Sequence, residues 1–168
     1  MKADKIYLVG FMAAGKTSLA RALGERLSWR VEDVDELIEA RERRTVADIF
    51  AQHGEPYFRT LERDIVRLLL PIRHAVVATG GGTFLDPENR AAINRDGLSI
   101  WLDVPFEELL ARVPADGRRP LAADREQMAR LFAIRKVGYE EAHLRLDARR
   151  APFGELVERV LEALEDDR

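Results

Sequence analysis

Apolar residues along the chain fall into two rhythms. Short apolar runs at 5–9 (KIYLV), 75–79 (AVVAT) and 98–102 (LSIWL) read as β-strands, with weaker candidates at 29–31 and 144–146. Between them the apolar positions recur every three or four residues, as in Leu19, Ala20, Leu23 and Leu27, where a helix follows Gly15. The same spacing predicts helices over 34–43, 46–50, 58–70, 125–141 and 153–164. Pro71 stops the third of these, and Pro105 starts a further helix. Pro87 behind Asp86 signals a capped helix start running to about residue 95. Residues 113–124 are polar, hold Pro114, Gly117 and Pro120, and read as a mobile connection.

Strands that alternate with helices imply an α/β domain, with a mainly parallel, five-stranded sheet between two helical layers. Ligands in such folds gather at the carboxyl ends of the strands, so motifs that follow strands converge in space.

Composition narrows the function classes. At 168 residues the chain fits one domain over 1–168, with no internal repeat or interdomain linker. Its 46% hydrophobic and 34% charged content is ordinary for a soluble protein. No apolar run approaches the roughly 20 residues that span a bilayer, and the N-terminus lacks a signal-peptide pattern. A formal charge of -3 argues against nucleic acid as a partner, and the absence of cysteine excludes disulfides and thiolate metal sites. The expectation is a cytoplasmic protein without a membrane partner. Only Lys2, Lys5, Lys16 and Lys136 are lysine among the 27 basic residues, so a single arginine says little while a lysine in a glycine loop says much.

That lysine lies in GFMAAGKTS, residues 10–18, directly after the first strand. Gly10 and Gly15 let the backbone curl so that N–H groups face phosphate oxygens, and the following helix adds the positive end of its dipole. Lys16 reaches the β- and γ-phosphates, and the Thr17 hydroxyl is a ligand for Mg²⁺. A plain glycine turn with a solvated lysine is the competing reading.

Other candidates are ambiguous singly. Asp33 and Asp35 follow the second strand; alternate residues at a strand end face one way, but either aspartate could equally cap the next helix. Arg59 is either a ligand or an exposed partner of Glu62. Gly80, Gly81 and Gly82 suit close approach of backbone to a ligand, or a flexible turn. Arg118 and Arg119 fall in the polar connection, and Arg135 in the helix after it.

Taken in order, these motifs resemble the shikimate kinase family over nearly the whole chain: GFMAAGKTS, Asp33-Val34-Asp35 with Ile38-Glu39, Gly54-Glu55 with Phe58-Arg59 and Glu62, the triplet at 80–82, Arg119-Pro120-Leu121, and Arg135 with Tyr139. The resemblance implies a three-layer αβα P-loop kinase fold with a mobile lid near 113–124 and a substrate-binding segment near 33–62. It implies transfer of the ATP γ-phosphoryl group to the 3-hydroxyl of shikimate, on the route to aromatic amino acids, by a monomer using Mg²⁺. Lys16, Asp35 and Arg119 would be catalytic. Gly10, Ala13, Ala14, Gly15, Lys16, Thr17, Ser18 and Arg119 would hold ATP, with Arg150 (or Arg149) at the adenine. Asp35, Arg59, the glycine triplet and Arg135 would hold shikimate, and Thr17 and Asp33 the metal. Three positions depart from the family pattern: Ala13 for glycine, Val34 for serine or threonine, and Gly138 near a usual proline. The first is expected to reshape the loop, the second to remove a hydroxyl near the metal, and the third to bend or end its helix. A gluconate-type kinase, a nucleoside monophosphate kinase or a non-catalytic nucleotide switch would share the loop, but not the acceptor-side set.

Overall fold

The computed structural model describes residues 3–112 and 125–166. The lid segment and Arg119 lie outside the described residues. Five parallel strands form the sheet: β1 (Lys5–Val9), β2 (Arg30–Asp33), β3 (Ala75–Ala78), β4 (Leu98–Asp103) and β5 (Leu144–Asp147), in spatial order β2-β3-β1-β4-β5. Ile6, Leu8, Val76 and Val77 are wholly buried, as strands covered on both faces require.

β2 begins one residue later than the sequence pattern suggests and extends to Asp33. It is an edge strand with a mostly exposed RVE(D) pattern, so its limits are set by pairing with β3 from Ala75 to Ala78 rather than by apolar content.

The helices are α1 (Lys16–Leu27), α2 (Val34–Glu42), α3 (Val46–Leu69), α4 (Pro87–Asp96), α5 (Phe106–Arg112), α6 (Arg125–Tyr139) and α7 (Phe153–Asp166). α1 packs on β1 and β3 and carries α7, whose Leu156, Val157, Val160 and Leu164 are buried. α3 and α4 pack on each other and α4 on β4, completing an αβα sandwich. Each leucine or isoleucine buried on these seams contributes about 1.5–3 kcal/mol. The two helices expected at 46–50 and 58–70 join as α3, kinked where Gly54 adopts φ 79 and ψ 175. Pro56, two residues on, fits there because the kink has already broken the helical ladder. No helix among the described residues is long and apolar enough to cross a membrane.

β1 lies at the centre, between β3 and β4. The chain leaves β1 to build one side of the sheet and later crosses to the other, so the loop after β1 sits at the switch point where α/β sheets bind ligands.

Candidate active site

Residues 10–15 connect β1 to α1 in a tight loop, closed by the Ala14 amide donating to Phe11 O at 3.3 Å. Gly15 stands at φ 99 and caps α1 without a side chain, which leaves the helix N-terminus open toward the loop. Ala13 sits at φ 63, a left-handed conformation that costs an alanine about 1–2 kcal/mol. Ala13 thus holds a backbone conformation that glycine adopts more readily, and the loop carries that strain. Lys16, 9% exposed, folds over the loop and donates to Gly10 O and, at 3.2 Å, to Phe11 O. The Thr17 hydroxyl donates to Asp33 Oδ2 at 2.6 Å.

Asp33 fills both of the roles open to it. One carboxylate oxygen meets Thr17, and the other caps α2 by accepting the Glu36 amide at 3.0 Å. Asp35 reaches the site by a different route from strand alternation: β2 ends at Asp33, and Asp35 lies in the first turn of α2. There it lies so close to Gly80 that a Cβ on that glycine would fall 2.7 Å from Asp35 Oδ1. Desolvation pushes its carboxyl up to about 6; Lys16 pulls it down, while Asp33, Glu62 and Glu39 push it further up. Val34, between the aspartates, is wholly buried in the core.

The glycine triplet is tight rather than loose. A Cβ at Gly81 would fall 2.9 Å from Arg135 Nη1, and one at Gly82 would fall 2.4 Å from Arg59 Nη1. Both guanidiniums therefore lie against this backbone, on a short segment that Asp35 also approaches. Arg59 is at once a site residue and an ion-pair partner: it donates to Glu62 at 2.6 Å and to Glu55 at 3.2 Å. Glu62 is fully buried and also accepts the Thr83 hydroxyl at 2.5 Å. Tyr139 fixes the triplet from α6, donating to Gly81 O at 2.5 Å.

α6 runs through Gly138 and stops at Tyr139, one residue later than the glycine itself would dictate. A Cβ at Gly138 would fall 2.3 Å from Leu85 Cδ2, so the glycine serves the packing of α6 on the Thr83–Leu85 turn. This close contact keeps Arg135 beside Gly81.

On the other flank of the loop lies a cavity of about 210 Å³, bounded by Gly15, Ser18, Leu102, Arg112, Ala151 and Phe153. Arg112 donates to the Ala13 and Ala14 carbonyls at 3.2 and 3.1 Å. Neither Arg149 nor Arg150 lines this cavity; the Arg150 amide donates to Glu108 instead, at 3.0 Å, and its side chain is exposed. Sequence reading missed Arg112 because one arginine in an arginine-rich chain carries no local signal. Glu62 was legible as a possible partner of Arg59 and as a member of the family's segment at 54–62, but its hold on Thr83 was not.

A strand–loop–helix turn with a glycine-rich GKT loop at the switch point of this sheet, and Asp35, Arg59 and Arg135 gathered on the glycine triplet beside it, defines the P-loop kinase fold. The shikimate kinase family profile matches residues 12–165. Shikimate kinase of Persephonella marina is 39% identical over 158 residues, covering 93% of this chain and 96% of that protein. That of Symbiobacterium thermophilum is 41% identical over 167 residues, covering 96% of each. The Acinetobacter baumannii shikimate kinase structure, solved with shikimate, superposes with a TM-score of 0.92 at 32% identity, covering 99% of this chain and 95% of that one. The chain belongs to the shikimate kinase family, whose activity is ATP-dependent phosphoryl transfer to an alcohol.

Proposed function

We propose that this chain moves the ATP γ-phosphoryl group to the 3-hydroxyl of shikimate, giving shikimate 3-phosphate and ADP on the route to aromatic amino acids, with Lys16, Asp35 and Arg119 as its catalytic residues. The observation that carries this reading is the meeting of Asp35, Arg59 and Arg135 on the backbone of 80–82. Two guanidiniums and a carboxylate in one pocket suit a ligand with a carboxylate at one end and hydroxyls at the other. Gluconate offers the same groups on a flexible chain, and a nucleoside monophosphate would bring a dianion toward Asp35.

In the reaction, the shikimate 3-oxygen forms a bond to the γ-phosphorus as the bond from that phosphorus to the bridging oxygen breaks, and ADP leaves. Asp35 orients the attacking hydroxyl and takes its proton; a carboxyl near 6 is ionised at neutral pH and basic enough to accept it. Lys16 opposes charge developing on the transferred group, with Arg119 joining it. Gly10, Ala13, Ala14, Gly15, Thr17 and Ser18 bind the phosphates, and Arg112 borders the adenine side; the cavity lining lends the Arg150 (or Arg149) assignment at the adenine no support. Arg59, Arg135 and the backbone of Gly80, Gly81 and Gly82 hold the shikimate carboxylate.

Mg²⁺ would be held by Thr17 and Asp33, and supplies neutralisation of phosphate charge. One hydroxyl and one carboxylate at 2.6 Å form an all-oxygen pair, and Mg²⁺ commonly takes one or two protein ligands beside phosphate and water. We read the protein as a single-domain cytoplasmic monomer that engages neither nucleic acid nor membrane, in keeping with its formal charge of -3.

The test is ADP release with shikimate, gluconate and nucleoside monophosphates supplied separately. Turnover is expected with shikimate alone. Turnover with another acceptor, and none above the ATP-only background with shikimate, would overturn the assignment.

A further inference from the structure

The two arginines set against the glycine triplet are held in different ways. Arg59 lies over the Phe58 and Phe50 rings, 5.4 and 6.0 Å from their centroids, but is also gripped by two carboxylates, those of Glu55 and Glu62. Arg135 pairs with no carboxylate among the described residues. Its guanidinium lies over the Phe11 ring, 5.8 Å from the centroid, and interacts with the Tyr139 hydroxyl.

Phe11 is itself firmly seated. Its side chain is buried, with the residue 2% exposed. Phe132, one turn before Arg135 on α6, meets the ring edge to face at 5.4 Å with an interplanar angle of 83°. Phe106, at the start of α5, continues the seam to Phe132 at 5.5 Å. The backbone of the same residue belongs to the phosphate loop, where its carbonyl accepts from Lys16. One residue therefore faces the phosphate side through its carbonyl and the Arg135 side through its ring.

The physical difference between the two supports matters. A carboxylate orients a guanidinium but cancels much of its charge. An aromatic face orients it through the ring quadrupole and leaves the net charge for an incoming anion. We propose that Phe11 is a positioning residue for shikimate: its ring holds the Arg135 guanidinium beside Gly81 in a fixed, unneutralised state. The proposal rests on the reading of Arg135 as part of the carboxylate clamp.

The test is a double-mutant cycle on the full-length enzyme with Phe11→Leu and Arg135→Ala, measuring KM for shikimate, KM for ATP, kcat and Tm. Leucine keeps an apolar filler and removes the ring. Phe11→Leu is expected to raise the shikimate KM about two- to five-fold, the scale of one partly exposed cation–π contact, with ATP KM and kcat little changed. In the Arg135→Ala background the same substitution should have almost no further effect on shikimate KM. Additive effects, an unchanged shikimate KM, or an ATP KM that rises in step with it would each overturn the proposal; the last would mean general loop damage. If Arg135→Ala by itself leaves shikimate KM unchanged, the clamp reading falls and the proposal falls with it. If Arg135→Ala raises KM and Phe11→Leu does not, only the Phe11 proposal falls. Should Phe11→Leu fail to fold, Phe132→Leu removes the contact that seats the ring from outside the loop, and must give the same non-additive rise in shikimate KM.

Discussion

Arg59 and Glu62 stand three residues apart on α3, joined at 2.6 Å, and the Glu62 carboxylate beneath is fully buried while it also holds the Thr83 hydroxyl. This one carboxylate ties Arg59, which we propose as a clamp residue, to the turn that follows the glycine triplet. Removing it would leave the guanidinium to Glu55 alone and a buried hydroxyl without its acceptor.

Glu62→Ala is expected to raise the shikimate KM roughly tenfold or more, because a charged hydrogen bond of about 1.5–3 kcal/mol is lost. ATP KM should change far less, since Glu62 touches no part of the phosphate loop. Steady-state kinetics with each substrate varied in turn checks the split; equal rises in both constants would deny Glu62 this role.

Asp35 gives a pH dependence with opposite signs for activity and stability. Its carboxyl is pushed from 3.8 up to about 6, chiefly by desolvation. Folded protein therefore holds a proton that the unfolded chain has released between these values. Stability is highest below this window, falls as pH rises through it, and stays lower above it by up to about 3 kcal/mol. Asp35→Asn should lack that fall and be the more stable protein at about pH 7.5, by thermal denaturation. Activity should rise through pH 6 as the base ionises, and kcat of Asp35→Asn should drop by about 10²–10⁴ with that limb gone.

At Gly138 a methyl group would overlap Leu85 Cδ2. Gly138→Ala should cost about 1–3 kcal/mol of stability, although alanine favours a helix interior elsewhere. Pairing it with Leu85→Ala should relieve the overlap, so a double-mutant cycle in urea should be clearly non-additive.

Ala13→Gly should relieve left-handed strain of about 1–2 kcal/mol, offset by about 0.4–1 kcal/mol of added unfolded-state entropy. A net gain of up to about 1.6 kcal/mol corresponds to a Tm rise of up to about 3–6 °C for a domain of this size. A fall in Tm would show that the alanine methyl group makes contacts worth more than the strain.

Legibility followed the range of the physics involved. The strand at 5–9, the loop at 10–17 and the Asp86–Pro87 helix start depend on neighbouring residues, and the apolar rhythm with its glycine, proline and cap positions located all of them. Edge strand β2 was displaced because pairing with β3, not its own polar sequence, sets its limits. Asp33 and Arg59 could not be assigned one role from sequence because each holds two, with a local partner (Glu36, Glu62) and a distant one (Thr17, Gly82).

By itself, then, the sequence determined an α/β chain, a phosphate loop and an ordered set of acceptor motifs, since these arise from local periodicity and spacing. Tertiary structure alone decided that Asp35 stands in a helix turn beside Gly80, that Arg112 borders the cavity beside the loop, and that the Arg135 guanidinium lies over the Phe11 ring. Those relationships join residues 45 to 124 positions apart and are set by sheet order and helix packing, as when Arg112 meets Ala14 across 98 positions. Only the closing of the sheet around β1 brings such groups within reach of one another.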